Sequence, residues 1–341
     1  MPVDLRSDTL TLPGPDMRRA MAEAELGDDV FGEDPSIDRL EQRASRLLGK
    51  EAAVFVASGT MGNLLGVLAL AQHGQEIIAD DQAHIFLSEG AGTAALGGIQ
   101  VRQVPTSAGV LDADQVRAAV RPTDDHHQPL TAAVCVENTH NRHGGVVWPM
   151  ESLAAVRRVA DEQGISVHMD GARIFNAAAV LGIAPAEIAA TADTVTFCVS
   201  KGLGAPVGSV LCGPAAAIER ARRWRKAVGG GWRQGGVLAA AGLWALDHMV
   251  ERLADDHLNA RTLAEGLAEL PGVDIDLGRV QTNIVRFQTT GVSARQFVDA
   301  CRGRGVLGGG SSAGVRFVTH YGVDAADVQR ALSVCAEVLS G

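Results

Sequence analysis

Short apolar runs alternate with longer amphipathic stretches over the first two thirds of the chain. The apolar runs are rich in β-branched residues and have the length of buried strands. They cover residues 52–56, 76–79, 99–104, 131–136, 166–169, 194–199 and 209–212. Helical patterns lie between many of them, for example at residues 64–71, 112–120 and 150–163. Strands that alternate with helices predict an α/β fold with a mostly parallel sheet.

The pattern changes near residue 245, and the change predicts a second, smaller domain. A long helix is expected over residues 237–270, and an α+β pattern of three strands and two helices follows it. The first fifteen residues are broken by proline and glycine, which indicates an arm. We therefore predict an N-terminal arm (1–15), a large α/β domain (16–245) and a small C-terminal α+β domain (246–341).

Polar motifs follow five of the predicted strands at the point where each strand ends. They read SGTMGN (58–63), DQAH (81–84), ENTHN (137–141), DGAR (170–173) and SKG (200–202). Ligands of open parallel sheets bind outside the carboxyl ends of the strands. The five motifs are therefore expected to meet at one site.

The SKG motif delivers Lys201 from a buried strand into a glycine-rich turn. An amine in this position suits Schiff-base chemistry, because a desolvated lysine attacks aldehydes. The alternative is an ordinary solvated lysine in a turn. Lysine is scarce, however, since the chain has only Lys50 and Lys226 besides Lys201.

The SGTMGN motif lies between a predicted strand and a predicted helix. Backbone N–H groups and hydroxyls at a helix N-terminus bind anions such as phosphate, so residues 58–63 are a candidate anion site. The motif is neither G-x-G-x-x-G nor a Walker A loop, so neither a dinucleotide nor a nucleoside triphosphate is indicated. An ordinary strand-to-helix turn is the alternative.

Four further residues extend the candidate site. His84 and Asp170 follow strands, and Arg233 follows three glycines that let the backbone approach a ligand closely. Arg316 lies in a strand whose neighbours would face the other way, so it is expected to point inward and to pair with a carboxylate. A lysine, an anion site and a strand-end aspartate together fit pyridoxal phosphate (PLP), whose ring nitrogen needs an acidic partner.

Composition excludes several classes of protein. A net charge of −10 argues against nucleic-acid binding. The five cysteines contain no CxxC pair, so neither a zinc ribbon nor a redox pair is indicated, and no metal site is predicted. The N-terminal segment lacks the features of a signal peptide, so a cytoplasmic location without membrane contact is expected.

Longer stretches around these motifs resemble the low-specificity L-threonine aldolases, members of the threonine aldolase and β-eliminating lyase group of fold-type-I PLP-dependent, transferase-like enzymes. The similar stretches span nearly the whole chain. They are LRSDTLT (5–11), GDDVFGEDP (27–35), SGTMGN (58–63), AHI (83–85), ENTHN (137–141), HMDGARIFNAA (168–178), SKGLGAPVGSV (200–210), RKAVGGGWRQ (225–234), TNIV (282–285) and VRFVTH (315–320).

The resemblance implies cleavage of L-threonine, L-allo-threonine and related β-hydroxy-α-amino acids to glycine and an aldehyde. This retro-aldol reaction would pass through an external aldimine and a glycine quinonoid. The resemblance also implies a homotetramer with active sites at the dimer interfaces.

The resemblance assigns cofactor roles to several positions. Lys201 would form the Schiff base with PLP, Asp170 would pair with the ring nitrogen, and His84 would stack on the ring. Gly59 and Thr60 would bind the phosphate. Arg233 would join them, with a neighbouring subunit as one possible source.

The same resemblance assigns substrate roles. Ser7 and Arg316 would bind the α-carboxylate, and Arg173 would lie near both cofactor and substrate. His84, His140 or a water held by both would accept the proton of the β-hydroxyl group. The sequence does not choose among these three.

The chain departs from the family pattern at Ser88, at Trp232 and at the insertion-like pair Arg142-His143. These departures leave the preferred side chain of the substrate open. Two other readings also stay open. The same cofactor would serve a β-eliminating lyase, a racemase or an aminotransferase, and a non-catalytic protein that binds vitamin B6 is the third class.

Overall fold

The computed structural model describes residues 2–340 and contains three β-sheets. The strands are β1 (Val3–Asp4), β2 (Ala52–Val56), β3 (Glu76–Asp80), β4 (Gln100–Val104), β5 (Thr131–Glu137), β6 (Ser166–Asp170), β7 (Thr194–Cys198), β8 (Ser209–Gly213), β9 (Val273–Asp274), β10 (Ile284–Thr289), β11 (Val306–Leu307), β12 (Gly309–Ser311) and β13 (Gly314–Val318). The α-helices are α1 (Pro15–Ala22), α2 (Pro35–Leu47), α3 (Gly59–Leu70), α4 (His84–Leu87), α5 (Gly92–Ala95), α6 (Ala113–Ala119), α7 (Met150–Gln163), α8 (Ile174–Leu181), α9 (Pro185–Ala189), α10 (Ala215–Ala227), α11 (Gly236–His248), α12 (Leu253–Ala268), α13 (Ala294–Gly303) and α14 (Ala325–Ser340). Within residues 2–340, every helix is too short or too polar to cross a lipid bilayer.

The largest sheet has seven strands in the order β2-β8-β7-β6-β5-β3-β4. Only β8 runs antiparallel to its neighbours, and the others are parallel. Every residue of β3, β7 and β8 is buried, as expected for strands that helices cover on both faces. The predicted α/β fold with a mostly parallel sheet is confirmed.

Two glycines let helix α3 lie directly against this sheet. A Cβ atom at Gly62 would come within 2.5 Å of Thr196 Cγ2, and one at Gly66 would come within 2.4 Å of His168 Cε1. Any side chain at either position would therefore push the helix away. The close contact keeps the first turn of α3 beside the carboxyl ends of β6 and β7.

The C-terminal part forms a four-stranded antiparallel sheet, β12-β13-β10-β9, packed on α12 and α13, and α14 packs on these two helices. Its core contains Phe287, Phe297 and Phe317, whose rings meet edge to face. Since Val315 and Phe317 of β13 point into this core, Arg316 between them faces the opposite way. The α+β character of this part is confirmed.

The N-terminal segment contacts this C-terminal part. Strand β1 pairs in parallel with β11, and Val3 and Leu5 are buried in the C-terminal core. The amide of Val318 also donates to the carbonyl of Leu5 (2.8 Å). The domain limits at residues 15 and 245 stay predictions.

The single helix predicted over residues 237–270 is wrong, because two helices occupy this stretch. Helix α11 ends at His248 and α12 begins at Leu253. Met249 and Leu253 on either side of the break pack into the main core. The packing of these two side chains sets the break, and no glycine or proline marks it in the sequence.

Candidate active site

A cavity of about 540 Å³ lies between the carboxyl edge of the seven-stranded sheet and the C-terminal strands β12 and β13. Six of the predicted site residues line it, namely Ser7, His84, Asp170, Arg173, Lys201 and Arg316. The other four predicted residues, His140, Gly59, Thr60 and Arg233, do not.

Lys201 reaches the cavity through the turn that follows β7. Gly204 and Gly208 in this turn have φ angles of +77° and +109°, which favour glycine. A side chain at Gly208 would also collide with the ring of Phe55, 2.5 Å away. The carbonyl of Lys201 accepts a hydrogen bond from Thr11 Oγ1 (2.9 Å), so the N-terminal segment fixes the backbone that carries the amine.

Asp170 ends β6 and is buried at the base of the cavity. Its Oδ2 accepts a hydrogen bond from Asn63 Nδ2 (2.9 Å), and its Oδ1 accepts one from the amide of Ala172 (3.1 Å). The nearest cationic partner in the described chain is His84, with Nδ1 4.0 Å from Asp170 Oδ2. The carboxylate therefore stays available to a cation placed in the cavity.

Asn63 is itself oriented by a buried histidine behind it. Because Asn63 Nδ2 also donates to Glu89 Oε1 (2.8 Å), its Oδ1 must face His168 Nε2, 3.2 Å away. That oxygen can only accept, so Nε2 carries the proton and Nδ1 accepts from Thr194 Oγ1 (2.9 Å). Burial lowers the pKa of His168 to about 4, which keeps the ring neutral.

His84 begins the short helix α4 just after β3. Its Nδ1 donates to Glu89 Oε1 (2.8 Å), and its main-chain amide donates to Glu137 Oε2 (2.7 Å). The hydrogen bond to Glu89 raises the pKa of His84 above its ordinary value, against an opposing effect of burial. Only Nε2 is left for a ligand.

His140 is fully buried beneath the cavity floor. Its Nε2 lies 3.1 Å from Asp80 Oδ1 and 3.7 Å from Glu137 Oε2. Burial opposes the charged form, but the Glu137 and Asp80 carboxylates outweigh it and raise the pKa of His140. His143 packs edge-on against this ring (4.7 Å between centroids), and the two histidines with Asp80 offer ligand atoms within 4.8 Å of one another.

Arg173 forms a buried, two-pronged ion pair with Asp8. Its Nε and Nη2 each donate to one carboxylate oxygen at 2.7 Å, and Asn283 Nδ2 donates to Asp8 Oδ2 (3.1 Å). Burial alone would raise the pKa of Asp8, but Arg173 holds it far below the usual range. The pair brings the neighbouring Ser7 to the cavity wall.

Arg316 faces the cavity from β13 as predicted. Its Nη1 donates to the carbonyl of Arg6 (3.1 Å) and its Nη2 to Asn141 Oδ1 (2.9 Å), while its buried Nε has no partner in the part of the chain that the structure describes. Burial and the nearby Arg173 lower the pKa of Arg316 to about 10. The expected carboxylate partner is not found among residues 2–340, which leaves this position to a ligand.

Gly59 and Thr60 form the first turn of α3, where backbone N–H groups have no partner inside the helix. A Cβ atom at Gly59 would lie 2.9 Å from Cys198 Sγ at the end of β7. This turn is therefore held at the same sheet edge that delivers Lys201.

Arg233 lies outside the cavity of this chain. Its side chain is largely exposed and pairs with Asp28 (3.0 Å) in the loop before α2. The preceding Trp232 stacks on Phe55, with 5.4 Å between ring centroids. A single chain thus does not bring Arg233 together with the six lining residues.

Three partners that orient the site, Asp8, Glu89 and Asp80, were not predicted from the sequence. Each is a carboxylate close in sequence to a predicted residue or motif. A buried cation such as Arg173 requires an anion, and this requirement was the available signal for Asp8.

The chain is similar to known proteins over nearly its full length. Residues 4–290 match the family model described as beta-eliminating lyase. The chain is 43% identical over 338 residues to a probable low-specificity L-threonine aldolase 2 of Arabidopsis thaliana, covering 97% of this chain and 95% of the relative. It is 50% identical over 263 residues to an uncharacterised Caenorhabditis elegans protein, covering 77% of this chain and 63% of the length of that relative.

A solved structure of a Leishmania major threonine aldolase has the same fold. The TM-score is 0.85 at 19% identity, and the match covers 99% of this chain and all of that one. The predicted fold class, that of the fold-type-I PLP enzymes, is confirmed. Together with the sequence matches, this shows that the chain belongs to the beta-eliminating lyase family, among the relatives of the low-specificity L-threonine aldolases.

Proposed function

We propose that the protein is a PLP-dependent aldolase that cleaves L-threonine and L-allo-threonine to glycine and an aldehyde. The observation that carries the proposal is the meeting of Lys201, Asp170 and Arg316 in one cavity. A Schiff-base amine, an acidic partner for a ring nitrogen and a cation without a carboxylate are what this reaction requires. The relatives that are named low-specificity L-threonine aldolases support the same activity.

The residues present fit PLP. Among residues 2–340, the Asp170 carboxylate has two neutral hydrogen-bond donors, and its nearest cationic partner, His84 Nδ1, is 4.0 Å away, so it suits a protonated ring nitrogen. The first turn of α3 suits the phosphate. Lys201 would hold the aldehyde and His84 would cover the ring. When bound, the cofactor supplies an electron sink for the carbon whose bond breaks.

Arg316 and Ser7 bind the α-carboxylate of the substrate. Arg316 has donors left beyond the two it uses, because a guanidinium carries five. Ser7 Oγ accepts from the amide (3.2 Å) and the hydroxyl (2.8 Å) of Thr9, which leaves its own O–H to donate. These contacts orient the amino acid so that the β-hydroxyl group faces the histidine side of the cavity.

His84 accepts the proton of the β-hydroxyl group. It lines the cavity and its Nε2 is unengaged, whereas His140 Nε2 is held by Asp80 beneath the floor. His140 contributes through Asp80 and Glu137, which also anchors the amide of His84. A proton reaches Nε2 only when His84 is neutral, so the reaction is expected to need a pH above the raised pKa of His84.

The family model favours a second candidate, elimination at the β-carbon of the same substrates. Elimination would release ammonia and an oxo-acid, while the aldolase reaction releases glycine and an aldehyde. Quantifying all four products from one reaction separates the two.

The proposal also covers the oligomeric state of the protein and its location in the cell. We infer a cytoplasmic homotetramer in which a neighbouring subunit supplies Arg233 to the phosphate. The exposed position of Arg233, away from its own cavity, supports this. Light scattering should give the mass of four chains. Mixing inactive Lys201→Ala with inactive Arg233→Ala subunits should restore activity if the two residues act across an interface.

The direct test follows aldehyde and glycine release from L-threonine by the PLP-loaded protein. We expect release by the natural chain and none by Lys201→Ala. Lys50→Ala is the matched control, because Lys50 contacts the carbonyl of Ala192 far from the cavity. Equal release by Lys201→Ala, or no release by the natural chain, would overturn the proposal.

A further inference from the structure

The C-terminal wall of the cavity carries more positive charge than one α-carboxylate needs. Arg142 and Arg286 line the cavity together with Arg316. Arg286 donates to the main-chain carbonyls of Arg142 and Ala313 (3.2 Å for the latter), and neither acceptor is an acid. In the described chain, no aspartate or glutamate forms an ion pair with any of these three arginines. This wall therefore contains cations that the protein itself does not neutralise.

Arg286 is placed to act beside Arg316. The two residues are opposite each other in the antiparallel pair of β10 and β13. Opposed side chains in such a pair share a face, with Cβ atoms about 4.5–5.5 Å apart. Val285 and Phe287 point into the C-terminal core, so Arg286 faces the cavity as Arg316 does.

Arg286 holds the neighbouring turn in place, but this structural role does not require a positive charge. The turn at residues 141–144 packs on its stem, with a Cβ atom at Gly144 3.6 Å from Arg286 Cδ. A neutral amide side chain would donate equally well to a carbonyl. Instead, burial and the nearby Arg142 lower the pKa of Arg286, so the charge is held at a cost in free energy. An anion bound at this place would offset that cost.

We propose that Arg286, with Arg142 beside it, forms a subsite for a second carboxylate, and that the protein cleaves β-hydroxy-α-amino dicarboxylic acids. The proposal rests on the aldolase function above. Arg316 binds the α-carboxylate, and Arg286 binds the carboxylate carried by the β-carbon. Arg286 and Arg316 are opposite each other in the register of β10 and β13. Their two guanidinium groups can therefore bind the two carboxylates of one short substrate.

The shortest such substrate is β-hydroxyaspartate. Its β-hydroxyl proton passes to a base and its Cα–Cβ bond breaks, so the β-carbon becomes the aldehyde carbon of glyoxylate. The electron pair of that bond stays at Cα, which then takes up a proton and becomes glycine. One amino acid thus gives one glycine and one glyoxylate, without any oxidant or reductant.

The test compares kcat/KM for β-hydroxyaspartate and for L-threonine with the PLP-loaded protein. In Arg286→Gln, the ratio of the two values should fall about 100-fold, as expected when a charge-assisted hydrogen-bond pair is lost. Arg142→Gln should lower the ratio about threefold, since this side chain is exposed. Arg295→Gln on α13 removes one exposed charge and is the matched control, with an unchanged ratio.

Binding gives a readout that does not depend on turnover. Succinate carries two carboxylates and no reacting group, and butyrate carries one. By calorimetry, succinate should bind Arg286→Gln about tenfold more weakly than the natural protein, while the affinity for butyrate should change far less. Melting curves check that each variant is folded.

The outcomes separate the subsite from the aldolase function. If threonine is cleaved but β-hydroxyaspartate is not, or if Arg286→Gln leaves the ratio unchanged, the subsite is wrong and the aldolase stands. If neither amino acid is cleaved but succinate binds Arg286→Gln more weakly than it binds the natural protein, the aldolase function is wrong and the subsite stands.

Discussion

The two walls of the cavity differ in how their charged side chains are paired. On the sheet side, Asp170, Asn63, His84 and Glu89 form one connected set of hydrogen bonds. On the C-terminal side, Arg286 and Arg316 donate to carbonyl and amide oxygens, and no acid among residues 2–340 forms an ion pair with them. The first wall is held in place by its own hydrogen bonds and offers the Asp170 charge to a ligand, whereas the second wall carries cations that a ligand would neutralise.

The sheet wall positions the side chains that take part in the reaction, whereas the C-terminal wall recognises the charge of the substrate. A connected set of hydrogen bonds fixes the direction of each side chain, so Asp170 and His84 are already oriented before anything binds. Cations without partners instead select for anions, because any other occupant leaves their charges unpaired. We therefore expect substitutions on the sheet side to change the rate of the chemical step and those on the C-terminal side to change substrate binding.

The largest effect on activity is expected at the base of the sheet wall. Asp170→Asn keeps the shape and the contact with Asn63 but removes the negative charge offered to the cavity. Aldehyde release should fall roughly 100- to 1,000-fold, the usual cost of removing one preorganised charge. Steady-state kinetics at saturating PLP measure the loss, and a change below threefold would contradict the role of Asp170.

The largest effect on stability is expected where the N-terminal segment meets the sheet wall. Asp8→Asn leaves Arg173 buried without an anion, which should cost about 3–5 kcal/mol in the free energy of unfolding. Asp299→Asn breaks only exposed pairs and should cost less than about 1 kcal/mol. Urea unfolding compares the two. Because Arg173 lowers the pKa of Asp8, the stabilisation is present at neutral pH and is lost as the pH falls through the acidic range.

A smaller effect is expected from the C-terminal wall. Arg316→Gln should raise the KM for L-threonine about 10- to 100-fold and change kcat less, because the charge acts in binding. Arg295→Gln on the surface of the same part is the control. A fall in kcat of about 10- to 100-fold with an unchanged KM would mean that Arg316 acts in the chemical step and not in substrate binding.

The smallest effect concerns the pH profile. Glu89→Gln removes the carboxylate that raises the pKa of His84, so the rise of kcat/KM with pH should begin at lower pH than in the natural protein. Activity at the plateau should change little, since Gln can still accept from Nδ1. A profile that does not move would mean that His84 is not the titrating base.

The parallel sheet and the meeting of motifs at its edge could be predicted, because both depend on local patterns. Lys201, Asp170 and Arg316 carry their own signals, a glycine-rich turn, a strand end and an alternating strand. Glu89 carries none, since an acid in a loop looks the same whether it is solvated or buried, and Asp8 is indicated only indirectly, because a buried Arg173 requires an anion. Their importance arises from packing between distant segments, as does the break between α11 and α12.

The N-terminal segment has a consequence for how the site is assembled during synthesis. Val3 pairs with Val306, and Asp8 contacts Asn283, which lies 275 residues further along the chain. During synthesis, these early residues therefore wait for residues 283–306 before they find their partners. The cavity acquires its final shape only after residues 283–318 have been made, so truncated chains that lack these residues are expected to contain a sheet but no closed site.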